Sequence, residues 1–187
     1  MISKTDLRIV KTNENIKNAF CNLLLEKNFK DITVQNICDE ALIGRSTFYD
    51  HYSDKYDLLN KMVEELSNEF KPYIKIRFNL NNINDFTTTF SGMLKHLSKE
   101  KTKILALLNV HTEFADLHSN LENLLIKGCM DFLLNENFKS KFNISNEYIC
   151  RHYASYVLTS FELWLELDES DGALELANNM QAILFAN

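Results

Sequence analysis

Residues 33–59 read TVQNICDEALIGRSTFYDHYSDKYDLL. Thr33 stands before Val34, Ile37 and Ala41, an apolar set at helical spacing, and its hydroxyl suits a helix N-cap. Ala41-Leu42-Ile43-Gly44 breaks that pattern as a turn. Arg45 to Tyr52 then packs into one short segment several groups that match phosphates and base edges. Ser53 is expected to cap a longer helix with Asp54 in its first turn, where a negative charge suits the helix dipole. A helix, a short turn and a polar second helix make a helix-turn-helix, which lays its second helix in the major groove of DNA.

The rest of the chain agrees with a helical protein. It has 187 residues with only four glycines and one proline, so helix breakers are few. That length builds one or two small domains with a proper core. The expected fold is all-α with about nine helices: a three-helix helix-turn-helix domain over 1–52, then a helical domain over 53–187. The first helix is expected from about Thr5 to Lys27, with Ile9, Ile16, Phe20, Leu23 and Leu24 facing inward. The fourth is expected to run from after Ser53 to about Arg77, bent or shortened at Pro72. Further helices are expected near 85–99, 102–108, 114–135 and 146–167, and from about 171 to the C-terminus.

Net charge is −6, and residues 1–60 alone balance at −1. Non-specific attraction to nucleic acid is therefore modest and strongly salt-dependent, and a few placed basic groups must carry any DNA contact. Cys21, Cys38, Cys129 and Cys150 form no CxxC pair and are expected to be buried, reduced thiols. Met1 to Val10 is polar and charged, unlike a signal peptide, and no apolar run nears the roughly 20 residues that span a bilayer. The expectation is a cytoplasmic protein with no membrane partner.

Phe29, Thr33-Val34, Ile37, Ala41, Arg45-Ser46-Thr47-Phe48-Tyr49, His51-Tyr52, Lys55 and Leu58-Leu59 together resemble the DNA-binding domain of the tetracycline-repressor (TetR/AcrR) family of bacterial transcription regulators. The resemblance covers the first third of the chain. It departs at Leu42, where the family usually has glycine, and at Gly44, where it usually has a serine or asparagine cap. Gly44 is expected to relieve the turn and to serve as a tolerable cap. The resemblance implies that the remaining helices bind a small-molecule effector and dimerise.

Seven residues are the candidate DNA contacts. Arg45 offers a planar fork that matches guanine O6 and N7. Ser46 and Thr47 are short donors, and the Thr47 methyl suits a thymine methyl. Tyr49 and His51 have donors for phosphates. Thr33 offers its hydroxyl and adjacent amides at a helix start. Lys55 is assigned to the DNA backbone by the family resemblance. Phe48 is expected in the core.

No paired carboxylates, Ser/His/Asp set or phosphate-cradling glycine loop appears in a useful context, so the chain is not expected to be an enzyme and needs no cofactor. His111 and His118 share a helical face if one helix runs through both. With His96, Cys129, Cys150 and His152 they suggest a metal-responsive regulator as an alternative, but the tight ligand spacing of a zinc site is missing and no metal is expected. Phe70, Tyr73, Phe78, Phe86, Phe90, Phe114 and Phe132 suit a core that shares walls with an effector pocket.

Tyr153, Tyr156, Val157, Ser160, Phe161 and Trp164 form one apolar stripe, and Leu176, Met180 and Ile183 belong to another. Helices apolar over more than one face need a second surface, and these residues are the candidate homodimer interface. The expected function is a ligand-responsive regulator, a repressor, that binds a palindromic double-stranded DNA operator as a homodimer. The alternative is a helical interaction protein of this fold that has lost DNA binding.

Overall fold

The computed structural model describes residues 4–79, 97–138 and 143–167. These residues are all-helical and contain no strand. The α-helices are α1 (Lys4–Glu26), α2 (Val34–Glu40), α3 (Arg45–Tyr49), α4 (Lys55–Asn79), α5 (Lys101–Leu108), α6 (Leu117–Asn135) and α7 (Asn146–Leu167). Two 3-10 turns, Phe29–Asp31 and Ser98–Glu100, precede α2 and α5. Most of the helix expected near 85–99, with Phe86, Phe90 and His96, lies outside the described residues. So does all of the last expected helix, with Leu176, Met180 and Ile183.

The chain divides into two compact units, Met1–Leu66 with Thr102–Leu117, and Ser67–Lys101 with His118–Asn187. In the first unit Ile16, Phe20, Ile37, Phe48, Leu58 and Met62 are wholly buried. The 3-10 turn is drawn in by Phe29, whose ring meets Phe20 edge-on at 6.2 Å and Tyr56 at 5.2 Å. Lys17 is buried on α1 and ties to α4 by donating to both carboxylate oxygens of Glu65, at 2.9 and 2.6 Å. Burial pulls the Lys17 ammonium down, but the hydrogen bond and charge of Glu65, helped by Glu14, outweigh it and leave the group above its ordinary value.

Two expectations about α1 and α4 change. Ile9 does not face inward: it is 52% exposed, because the first turns of α1 extend past the small core. Asp54, not Ser53, caps α4. Its Oδ1 accepts from the Tyr56 and Asp57 amides at 2.8 Å each, while the Ser53 amide donates to Asp57 at 3.0 Å. The helix begins at Lys55, so the residue just before it holds the cap position. α4 runs through Pro72 to Asn79, close to the expected end near Arg77.

In the second unit α6 buries Leu121, Leu125, Cys129 and Leu133, one per turn, and α7 buries Ile149, Cys150, Tyr153, Ala154, Leu158 and Leu165. All four cysteines are buried thiols outside any disulfide. Gly128 lets the Phe78 ring lie against the α6 backbone, since a Cβ there would stand 2.7 Å from two ring carbons. Phe78 in turn meets Phe132 and Tyr153 at 6.1 and 5.5 Å. Tyr153 is therefore a correction to the expected dimer stripe. It is wholly buried within its own unit, where its hydroxyl accepts from Arg77 Nε. Tyr156, Val157, Ser160, Phe161 and Trp164 stay half-buried, and Leu163 and Leu167 are exposed.

Candidate nucleic-acid interface

Thr33 and Asn36 close a capping box at the start of α2. The Thr33 hydroxyl oxygen accepts from the Asn36 amide at 3.1 Å, and the Thr33 amide donates to Asn36 Oδ1 at 3.0 Å. The Thr33 amide is thus spent inside the helix, and its hydroxyl hydrogen remains the group to offer outward.

The end of α2 sets where α3 begins. The Ile43 amide donates to Cys38 O at 3.0 Å and the Leu42 amide to Asp39 O at 3.3 Å, the paired bonds of a Schellman ending. This ending needs a left-handed residue, and Leu42 takes it with φ 54. Gly44 does not relieve the turn as expected: its φ is −76, and it serves as the extended N-cap of α3 with no side chain to offer. The strain falls on Leu42, whose side chain is 91% exposed and so avoids a clash.

α3 is one turn of helix held by a single anchor. Phe48 is wholly buried, and its ring contacts Tyr49 at 5.6 Å and Tyr52 at 5.8 Å. With Phe48 inward, Arg45, Ser46 and Tyr49 are exposed on the other side, and Thr47 and His51 are partly so. Arg45 Nε donates to Gln35 Oε1 at 2.6 Å, and Gln35 Nε2 donates to Asp39 at 2.5 Å. This chain across α2 fixes the guanidinium plane and leaves its outer nitrogens as a two-pronged donor face. Gln35 was not singled out from the sequence. Its signal was the Gln35–Asp39 spacing of one helical turn on an exposed face.

Lys55 is turned away from such a face. Its ammonium donates to Phe29 O at 2.8 Å, Lys30 O at 3.1 Å and Ile32 O at 2.7 Å, using all three of its hydrogens. It also sits 4.6 Å from the Phe29 ring centroid. Burial pushes the ammonium below its ordinary value, against the opposing pull of Asp31. Lys55 holds the 3-10 turn to the start of α4. The segment after α3 is joined to the middle of α1 by the Tyr52 hydroxyl, which donates to Asn13 at 2.6 Å.

The described histidines do not converge. Residues 110–116 are non-helical, so His111 and His118 do not share a helix. His111 pairs with Asp116 at 2.9 Å, His118 with Glu162 at 3.7 Å, and the His152 ring lies 4.4 Å from that of Tyr148. Among the described residues no three His, Cys, Asp or Glu side chains gather as a metal site. No described helix is long and apolar enough to cross a membrane.

Residues 18–62, which contain this geometry, match the model of the bacterial regulatory proteins of the tetR family. This stretch is a DNA-binding domain of the tetR type. It is 35% identical over 104 residues to an uncharacterized HTH-type transcriptional regulator, YxbF, of Bacillus subtilis strain 168. That match takes in 55% of this chain but only 24% of YxbF, so the chain spans about a quarter of that relative's length. The fold is similar to a TetR transcriptional regulator from Streptococcus agalactiae 2603V, with TM-score 0.59, 26% identity and coverage of 94% of this chain and 96% of that one. It is also similar to SmeT in a complex with triclosan, with TM-score 0.64, 15% identity and coverage of 92% and 90%. The chain therefore carries an N-terminal helix-turn-helix domain of the tetR type, on a fold shared with solved TetR regulators.

Proposed function

We propose that this regulator reads a near-palindromic operator as a homodimer, with α3 of each copy in one major groove. The observation that carries the reading is the anchoring of α3 by buried Phe48, which turns Arg45, Ser46 and Tyr49 outward. Arg45 contacts a guanine edge, oriented by Gln35. Ser46 and Thr47 touch bases or phosphates. Thr33, Tyr49 and His51 position the head on the backbone. Lys55 acts by holding the 3-10 turn rather than by touching DNA. Residues 1–52 do the reading, and 53–187 dimerise and hold the effector.

The half-buried side of α7, Tyr156 to Trp164, joins Leu176, Met180 and Ile183 of the following segment to form the dimer contact. Two reading helices about 34–36 Å apart then meet successive turns of the duplex. The effector is a small molecule, a reading supported by the SmeT–triclosan complex of the same fold. It shifts the population between states that fit and do not fit the operator, and so relieves repression. The protein acts in the cytoplasm and is not a catalyst.

Fluorescence anisotropy on the DNA upstream of its own gene, at two salt concentrations, tests the reading. The wild-type chain is expected to bind specifically with a steep salt slope. Arg45→Ala should lose about 1–3 kcal/mol and relax preference at one base step. An Arg45→Ala variant with unchanged affinity and preference would remove Arg45 from the base contacts. No specific binding by the wild type would favour an interaction protein of this fold.

A further inference from the structure

The described side chains in the first turns of α1 stand out in solvent. Ile16 is the first wholly buried side chain of the helix, whereas Leu7, Ile9 and Val10 are 48%, 52% and 57% exposed. Among the described hydrogen bonds, the ties that hold α1 begin at Asn13, which accepts from Tyr52, and at Lys17, which donates to Glu65. Tyr52 lies three residues past the end of α3, and its amide still donates to Phe48 O at 2.9 Å, so α1 passes beside the C-terminal end of the reading helix. From Lys4 to Thr12 it extends by roughly 14 Å at the helical rise of about 1.5 Å per residue.

The chemistry of this projection is one-sided. Arg8 and Lys11 are exposed, lie three apart on one face, and form no ion pair with a described residue. Residues 7–13 include no acidic side chain, and residues 1–13 carry three basic groups against one acidic, in a chain of net charge −6. A helix start that served only as solvated surface would not need three large aliphatic side chains in water. Cations beside aliphatic surface match a sugar–phosphate backbone, where anions alternate with apolar sugar edges.

We propose that residues 7–11 of α1 are a second DNA-contacting element, laid on the duplex just beyond the base pairs under α3. Arg8 and Lys11 meet phosphates, and Leu7 and Val10 rest on the sugars. The proposal rests on the assignment of α3 to the major groove. It also supplies positive charge that the sequence around α3 lacks.

The test uses the full chain and a duplex that the wild type selects from a randomised pool. A doubly substituted Arg8→Ala/Lys11→Ala chain is compared with wild type over a salt series. Each lost phosphate contact reduces the slope of log K against log salt by about 0.9, so the dimer's slope should become shallower by roughly 2–4. Affinity should fall tenfold or more at moderate salt, with the selected sequence and melting temperature unchanged. Trimming the duplex to its selected base pairs should weaken wild type, a readout that needs no substitution, and should leave the variant nearly unaffected. A variant with the wild-type slope and affinity would overturn the proposal, as would an altered base preference at unchanged slope. If wild type selects no sequence at all, the assignment of α3 fails and this proposal with it.

Discussion

Leu42 shows how one residue can meet a backbone demand at a cost. The turn needs a left-handed conformation, which for a residue with a Cβ is less favourable by about 1–2 kcal/mol. Leu42 accepts φ 54 because its side chain points into solvent and makes no packing in return. Leu42→Gly is therefore expected to stabilise the protein by about 1 kcal/mol, or roughly 2–4 °C in melting temperature for a chain of this size. Thermal unfolding followed by circular dichroism measures this. A lower melting temperature would mean that the leucine side chain makes a contact the glycine variant loses. Arg45 illustrates the opposite economy, since its Nε is held by Gln35 and its outer nitrogens stay available for a base.

Elements are joined in this molecule by single polar groups. Lys55 links the 3-10 turn to the start of α4 through three carbonyls, and no other side chain is so placed among the described hydrogen bonds. Lys55→Met keeps the aliphatic stem and removes the donors, leaving part-buried carbonyls unsatisfied at a cost of about 1–3 kcal/mol. Its DNA affinity should fall together with stability. Arg45→Ala should lower affinity at constant melting temperature. If Lys55→Met left stability untouched and still weakened binding, Lys55 would be a DNA contact after all.

The start of α4 is also sensitive to acid. The Ser53 amide first, then Lys61, hold the Asp57 carboxyl below its ordinary value of 3.8. A carboxyl lowered by folding contributes stability that is complete above its unfolded value and lost as pH falls through the folded one. Acid titration should therefore loosen this helix start only below about pH 4. In Asp57→Asn that portion of the acid dependence should vanish, as hydrogen exchange at the Ser53 amide would report. An unchanged acid profile would show that Asp57 does not anchor the helix. Lys17 behaves in the opposite sense: its raised value keeps its contribution through neutral pH, to be lost only as pH climbs past 10.5.

At the level of the whole molecule, the proposed pairing through the half-buried stripe on α7 can be tested directly. Light scattering should give twice the 21.8 kDa of one chain. Trp164→Glu sets a charge in the stripe and should shift the protein to monomer, with a large loss of operator affinity because the two reading heads are no longer coupled. A monomeric variant that still bound the operator as tightly as wild type would show that pairing occurs elsewhere or is not needed for reading.

Local pattern alone determined a great deal of this protein. The bounds of α7, the Thr33 cap of α2 and the inward place of Phe48 all follow from spacing and residue type, because a helix and its cap are decided by neighbours in the chain. The family was legible for the same reason, since its motif is a run of closely spaced residues around α3. Tertiary structure decided what depends on partners distant in sequence. Ile9 stays in solvent, beyond the core that its helix helps to build. Lys55 turns to carbonyls twenty-odd positions earlier. Tyr153 goes inside to meet Arg77 on another helix. Gln35 becomes an orienting group only once Arg45 arrives across the turn. Periodicity says which side of a helix is apolar, but where each side chain ends up is set by what packs against it.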